Sequence, residues 1–138
     1  MLDTDCTNLY GRFYNKITDY DLGNMCPSYE QDILWDYFVS AYIQYKRWTG
    51  NSITIDLDSH TIEQEVTIEQ LDLLATGMVY HWLSHILNNS EAMQNVMNTK
   101  DFQQFSPEKI VGRIASVRET AYKDFRYDCI EGSFIGGN

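Results

Sequence analysis

Thr67-Ile68-Glu69-Gln70-Leu71-Asp72-Leu73-Leu74-Ala75-Thr76-Gly77-Met78-Val79-Tyr80-His81-Trp82-Leu83-Ser84-His85-Ile86-Leu87-Asn88-Asn89 is the stretch on which the fold turns. Leu71, Leu74, Ala75, Met78, Val79, Trp82 and Ile86 recur at steps of three and four, the period of a helix with one apolar face. Thr67 followed three residues later by Gln70 makes a capping box at its start, and Asn88-Asn89 ends it. The apolar face is broad, so this helix belongs at the centre of the molecule.

Upstream, Ile53, Ile55 and Leu57 alternate with Thr54, Asp56 and Asp58, and Ile62 to Val66 alternates less cleanly, which predicts a short β-hairpin over 53–66. Before it, Leu34, Tyr37, Phe38, Ala41, Tyr42, Tyr45 and Trp48 mark a helix over 28–49, capped by Ser28 with Gln31 and stopped by Gly50-Asn51. Thr18 to Leu22 reads as one capped turn of helix ended by Gly23. Residues 1–17 show no sustained period and read as an N-terminal arm carrying Tyr10, Phe13 and Tyr14.

Downstream, Ser90-Glu91-Ala92-Met93 opens a short helical turn packing through Met93, Val96 and Met97. Ser106-Pro107 then starts a last long helix, with proline at the first helical position where its missing N–H costs nothing. Ile110, Ile114, Val117, Ala121 and Phe125 form a narrow stripe on it, flanked by Arg113, Arg118, Lys123 and Arg126, so one side meets solvent or a partner. Gly132 to Asn138, rich in glycine, predicts an extended tail in which Phe134 and Ile135 are the apolar side chains. The fold class is mainly α: one domain over 1–138, a small bundle of three long helices (28–49, 67–88, 107–130) plus short ones, a hairpin insertion and extended termini. Leu34, Phe38, Leu74, Met78, Trp82, Ile114 and Val117 are its expected core.

A net charge of −10 argues against wrapping nucleic acid by neutralising phosphates. The imbalance is uneven: residues 1–70 hold 12 acids and 4 bases, residues 71–138 hold 8 and 6. Ten tyrosines suit surfaces that are buried against partners as well as core edges. Cys6, Cys26 and Cys129 are an odd number without CxxC spacing, which indicates neither a disulfide framework nor a zinc site. The start of the chain has no basic, apolar signal-peptide pattern, and no apolar run approaches the ~20 residues that span a bilayer.

Chemistry finds little purchase. His81 and His85 stand four apart, as two imidazoles on one metal would, but Trp82 occupies the place of the metalloprotease glutamate and a third ligand is missing. Asp56, Asp58 and His60 alternate and would share a strand face; as a calcium loop they fail, because Thr61 stands where glycine is needed and Thr67 where glutamate is. No nucleophile motif, phosphate loop or dinucleotide fingerprint occurs. The expectation is a protein that is not an enzyme, without catalytic residue, cofactor or metal.

Lys16-Ile17-Thr18-Asp19-Tyr20-Asp21, the helix from Ile33 to Tyr45, the helix from Leu71 to Leu87, Thr99-Lys100-Asp101-Phe102 and Ser106-Pro107 fall in an order that resembles head-tail connector proteins of tailed bacteriophages infecting Gram-positive hosts. The resemblance covers about residues 14–130. The hairpin is more strand-like than that pattern, and the glycine-rich tail differs from it. The resemblance implies a helical virion protein at the head-tail interface, made in the host cytoplasm. Such proteins form a ring, commonly dodecameric, below the portal; they extend the DNA channel without binding DNA specifically and give tail or further neck proteins a platform. On that reading Tyr10, Phe13, Tyr14, Phe134 and Ile135 are the candidate interface residues, and Asp56, Asp58, Glu63 and Glu65 a candidate acidic lumen that lets DNA slide. A small non-viral helical adaptor is the alternative, and an enzyme built on His81 and His85 ranks below both.

Overall fold

The structure is a computed structural model and describes residues 4, 6–20, 31–98 and 105–135. Five helices and one hairpin follow in order: α1 (Thr7–Asp19), α2 (Gln31–Thr49), β1 (Ile55–Asp56), β2 (Thr61–Ile62), α3 (Ile68–Asn88), α4 (Ser90–Met97) and α5 (Pro107–Ile135). The protein is mainly helical with a small antiparallel hairpin, as the sequence periods predict.

The central helix behaves as its sequence dictates. Thr67 accepts the Gln70 backbone N–H at 3.0 Å while the Gln70 side chain accepts the Thr67 N–H at 2.8 Å, satisfying two donors that a helix start leaves unpaired. All seven residues of the predicted stripe are buried. Thr76, Gly77 and Leu83 are buried as well, so α3 is enclosed on more than one side.

Gly77 explains how three helices share that centre. A Cβ there would lie 2.7 Å from the Phe125 ring and 2.8 Å from the Ala41 Cβ, so α2, α3 and α5 cross where a side chain is missing. The pairs Tyr37 and His85, Ala41 and Gly77, and Tyr45 and Gln70 run in opposite chain directions, making α2 and α3 antiparallel. Tyr80 against Tyr122 and Gly77 against Phe125 do the same for α3 and α5. Trp48 closes the junction, edge-on to Tyr122 and Phe125.

Two sequence expectations need correction. Residues 7–19 are a helix, not an arm. Leu9, Tyr10, Phe13 and Ile17 form a narrow buried stripe, and Phe13 meets Trp82 edge-on at 6.0 Å. Gly11 obscured that period, yet it stands on the open side, where its cost of roughly 1 kcal/mol relative to alanine is outweighed by burial of the stripe. At the other end, α5 continues through Gly132 to Ile135, so these residues are helical and not an extended tail. Adding a residue to a formed helix costs far less than nucleating one, which carries α5 past an unfavourable glycine. Residues 136–138 of the predicted tail lie outside the described residues.

Other boundaries shift less. The strands are two residues each, shorter than 53–66, with Ile55 opposite Ile62 and Asp56 opposite Thr61. Gly50, at φ +75°, ends α2 in the left-handed conformation that glycine adopts readily. Ser106 caps α5 and Pro107 is its first residue; Asn89 caps α4 by accepting the Ala92 N–H at 2.9 Å. Thr18 and Asp19 are the last residues of α1 and Tyr20 is its C-cap, so the separate turn expected over Thr18 to Leu22 is instead the end of that helix. Asp21, Leu22 and Gly23, the Ser28 cap and the Thr99-Lys100-Asp101-Phe102 segment lie outside the described residues.

Replacing Gly77 with alanine should lower stability by about 1–3 kcal/mol through overpacking, despite alanine's better helix propensity. Chemical denaturation should show partial recovery in the Gly77→Ala/Phe125→Leu double variant, and an unchanged midpoint in Gly77→Ala would refute the close crossing. Trp82→Ala, at a fully buried position, should cost roughly 3–5 kcal/mol.

Candidate interaction surface

Asp56, Asp58, Glu63 and Glu65 are all exposed on the hairpin. Asp56 accepts the backbone N–H groups of Asp58 at 2.9 Å and Ser59 at 3.2 Å, an Asx-type turn that sets the tip. The Ser59 and Asp58 N–H groups hold the Asp56 carboxyl below its usual range, so it stays charged. Asp58 and His60 lie in this turn instead of sharing a strand face with Asp56, because the strand ends at Asp56. His60 folds back at φ +57°, stacks on Trp35 with ring centres 5.1 Å apart, and pairs through Nδ1 with Asp32 at 3.0 Å. The tip, with Leu57 exposed at its end, is thereby fixed to the start of α2.

The aromatic residues assigned to the ends divide. Tyr10 and Phe13 are buried in the chain's own core and cannot also meet a neighbour; Tyr14 is half-buried, with its ring 5.4 Å from that of Phe13. Phe134 and Ile135 belong to the last turn of α5, and the structure describes their backbone only.

A polar seam joins α1 to α3 and α5. Arg12 and Lys16 both reach Asp72, at 3.3 and 3.0 Å, and Tyr20 donates its hydroxyl to Asp124 at 2.9 Å. These pairs are partly exposed and each contributes about 0–1 kcal/mol, so they orient α1 more than they hold it. Burial, then the Asp124 bond, pushes the Tyr20 hydroxyl up. Asp128 is also raised, by burial first and then by Asp124, while Lys16 opposes the shift.

His81 and His85 are not brought to a common ligand set. His81 Nε2 lies 2.6 Å from Gln44 Oε1, and the His85 ring leans on Tyr37. Among the described residues no three histidine, cysteine, aspartate or glutamate side chains converge on a point where a metal ion would sit. Cys129 is fully buried, and burial pushes its thiol up to about 12, the behaviour of a small apolar residue. Among the described residues no helix is long and apolar enough to cross a membrane.

Sequence reading missed one feature. The end of α2, the start of α3 and the end of α5 enclose a groove of about 610 Å³. Ile68 is 49% exposed and Tyr127 65% exposed at its rim, beside the carboxylates of Glu69, Asp128 and Glu131. The signal was present: Tyr127 falls off the Ile110 to Phe125 stripe, so its large ring had to face away from the core.

Comparison with protein-family models, with curated proteins and with solved structures returns no match for this chain.

Burial holds the His81 imidazole neutral down to about pH 4, whereas in the unfolded chain it takes up a proton near 6.5. Between those values the unfolded state binds more protons, so the contribution of His81 is full above the upper value and is lost as pH falls towards the lower. Thermal unfolding should show the midpoint dropping less from pH 7 to pH 5 in His81→Gln than in the wild type; equal drops would mean that His81 is protonated in the folded protein.

Proposed function

We propose that this protein is a head-tail connector of a tailed bacteriophage. It assembles as a ring below the portal, extends the DNA channel and presents a platform for tail or further neck proteins. The order of Lys16-Ile17-Thr18-Asp19-Tyr20-Asp21, two long helices, Thr99-Lys100-Asp101-Phe102 and Ser106-Pro107 carries this reading, since it resembles that family over about residues 14–130.

The physical character of the surface supports it. Asp56, Asp58, Glu63 and Glu65 stand exposed on one short hairpin, and a channel lined by such carboxylates repels phosphate, so DNA passes without sticking. The exposed groove at one end of the bundle gives a small chain a surface to use in assembly.

The purified protein should sediment at about twelve times the 16.1 kDa chain mass, and electron microscopy should show rings with a central opening. A species of single-chain mass at every concentration, and rings lacking in particles that contain the protein, would favour the non-viral adaptor instead.

A further inference from the structure

The groove has a counterpart on the same molecule. On α2, Ile43 is 52% exposed, and Lys46 and Arg47 follow it at three and four residues, both exposed on the same side of the helix. Tyr45 and Ala41 occupy the opposite, buried side. One surface is thus a ridge of one exposed apolar side chain, Ile43, and two cations. The other is a cleft with Ile68 and Tyr127 at its rim and the carboxylates of Glu69, Asp128 and Glu131 in its lining. Arg12 is the one cation among the described lining residues, and it is engaged by Asp72. Asp128, raised by burial and by Asp124, sits where an incoming cation would relieve like-charge repulsion.

We infer that the groove formed by α2, α3 and α5 receives the Ile43, Lys46 and Arg47 ridge of a second copy of this chain, as the contact between neighbouring subunits. This rests on the ring reading given above and supplies its interface. A chain cannot fill its own groove, because Tyr45 and Thr49 of the same two turns of α2 already form one wall, which turns the ridge outward. The occupant must come from another molecule. The charges and the apolar surfaces match in kind, which steers encounter and fixes register. Ridge and groove are different patches, so the contact is head-to-tail; it leaves one ridge and one groove free after each addition and closes only as a ring. Both patches occupy the same end of the bundle, so successive subunits join at one level.

Two double variants of the full chain test this: Glu69→Lys/Glu131→Lys, which makes the groove basic, and Lys46→Glu/Arg47→Glu, which makes the ridge acidic. The residues changed lie outside the buried core, and circular dichroism should show both variants folded. Sedimentation should show each alone assembling only at a concentration about tenfold or more above that of wild type. An equimolar mixture should form rings again, because basic groove then meets acidic ridge and acidic groove meets basic ridge in alternation; recovery on mixing cannot come from misfolded chains. Rings formed by either variant alone at the wild-type concentration overturn the inference and leave the ring reading standing, as does failure of the mixture to assemble. Wild type that never assembles removes the ring reading and this inference with it. A groove variant that forms rings but no longer binds purified portal assigns the groove to the portal, against the inference.

Discussion

The missing side chain at Gly77 is the constraint on which the rest of the structure depends. Phe125 and Ala41 occupy the space that a Cβ would take, so three helices meet more closely than ordinary side chains permit. Because protein interiors are packed to crystal density, that crossing sets the register of α5 along α3 as well as its distance. Trp48 packs against two residues of α5 one turn apart, Tyr122 and Phe125, and so repeats the same register from the side of α2. With Phe125 placed, the following turn of α5 has to run beside the start of α3. Asp128 and Cys129 are thus carried to the same groove as Asp72 and Leu73.

The opposite flank of α3 depends on a second aromatic contact. Trp82 receives Phe13, which makes α1 part of the core and takes Leu9, Tyr10, Phe13 and Ile17 into it, leaving Tyr14 half-buried at its edge. The hairpin is anchored at both ends of its path. Tyr42 accepts from the Ile53 N–H and donates to the Ile53 carbonyl near its base, and Trp35 stacks under His60 near its tip. Two strands of two residues would not be stable alone in water. Here they are a rigid projection, because the α2 aromatics fix them, and their carboxylates keep a defined direction.

Charge and packing therefore act on different parts of the molecule. The core is apolar, with Thr76 bonded within its own helix to the Asp72 carbonyl at 3.1 Å. Ionic groups lie at the surface, among them those of the hairpin, of the seam around Asp72, of the groove and of the exposed sides of α2 and α5. Single exposed pairs contribute little to folding. Such a division lets the chain fold through its apolar core while its surface stays sensitive to salt and to charge.

How much of this the sequence could disclose follows from the range of each interaction. The α3 stripe, the Thr67 and Gln70 capping box, the Ser106-Pro107 start and the stop at Gly50 are local patterns, and backbone geometry within a few residues is enough to produce them. The acidic hairpin was legible for the same reason. Within the arm expected over 1–17, the helical period of residues 7–17 is hidden because Gly11 interrupts the pattern; the burial that makes them a helix comes from Trp82, far along the chain. The end of α5 was misread because glycine's local penalty is small beside the momentum of a long helix. The resemblance in motif order came from sequence alone. The groove did not: Ile68, Glu69, Tyr127 and Glu131 are separated by most of a helix hairpin and meet only once Gly77 lets α5 lie against α3. Sequence by itself determined the elements and their charges, because those arise from neighbours in the chain. Tertiary structure alone decided which surfaces they share, because close packing acts between residues that the chain keeps apart.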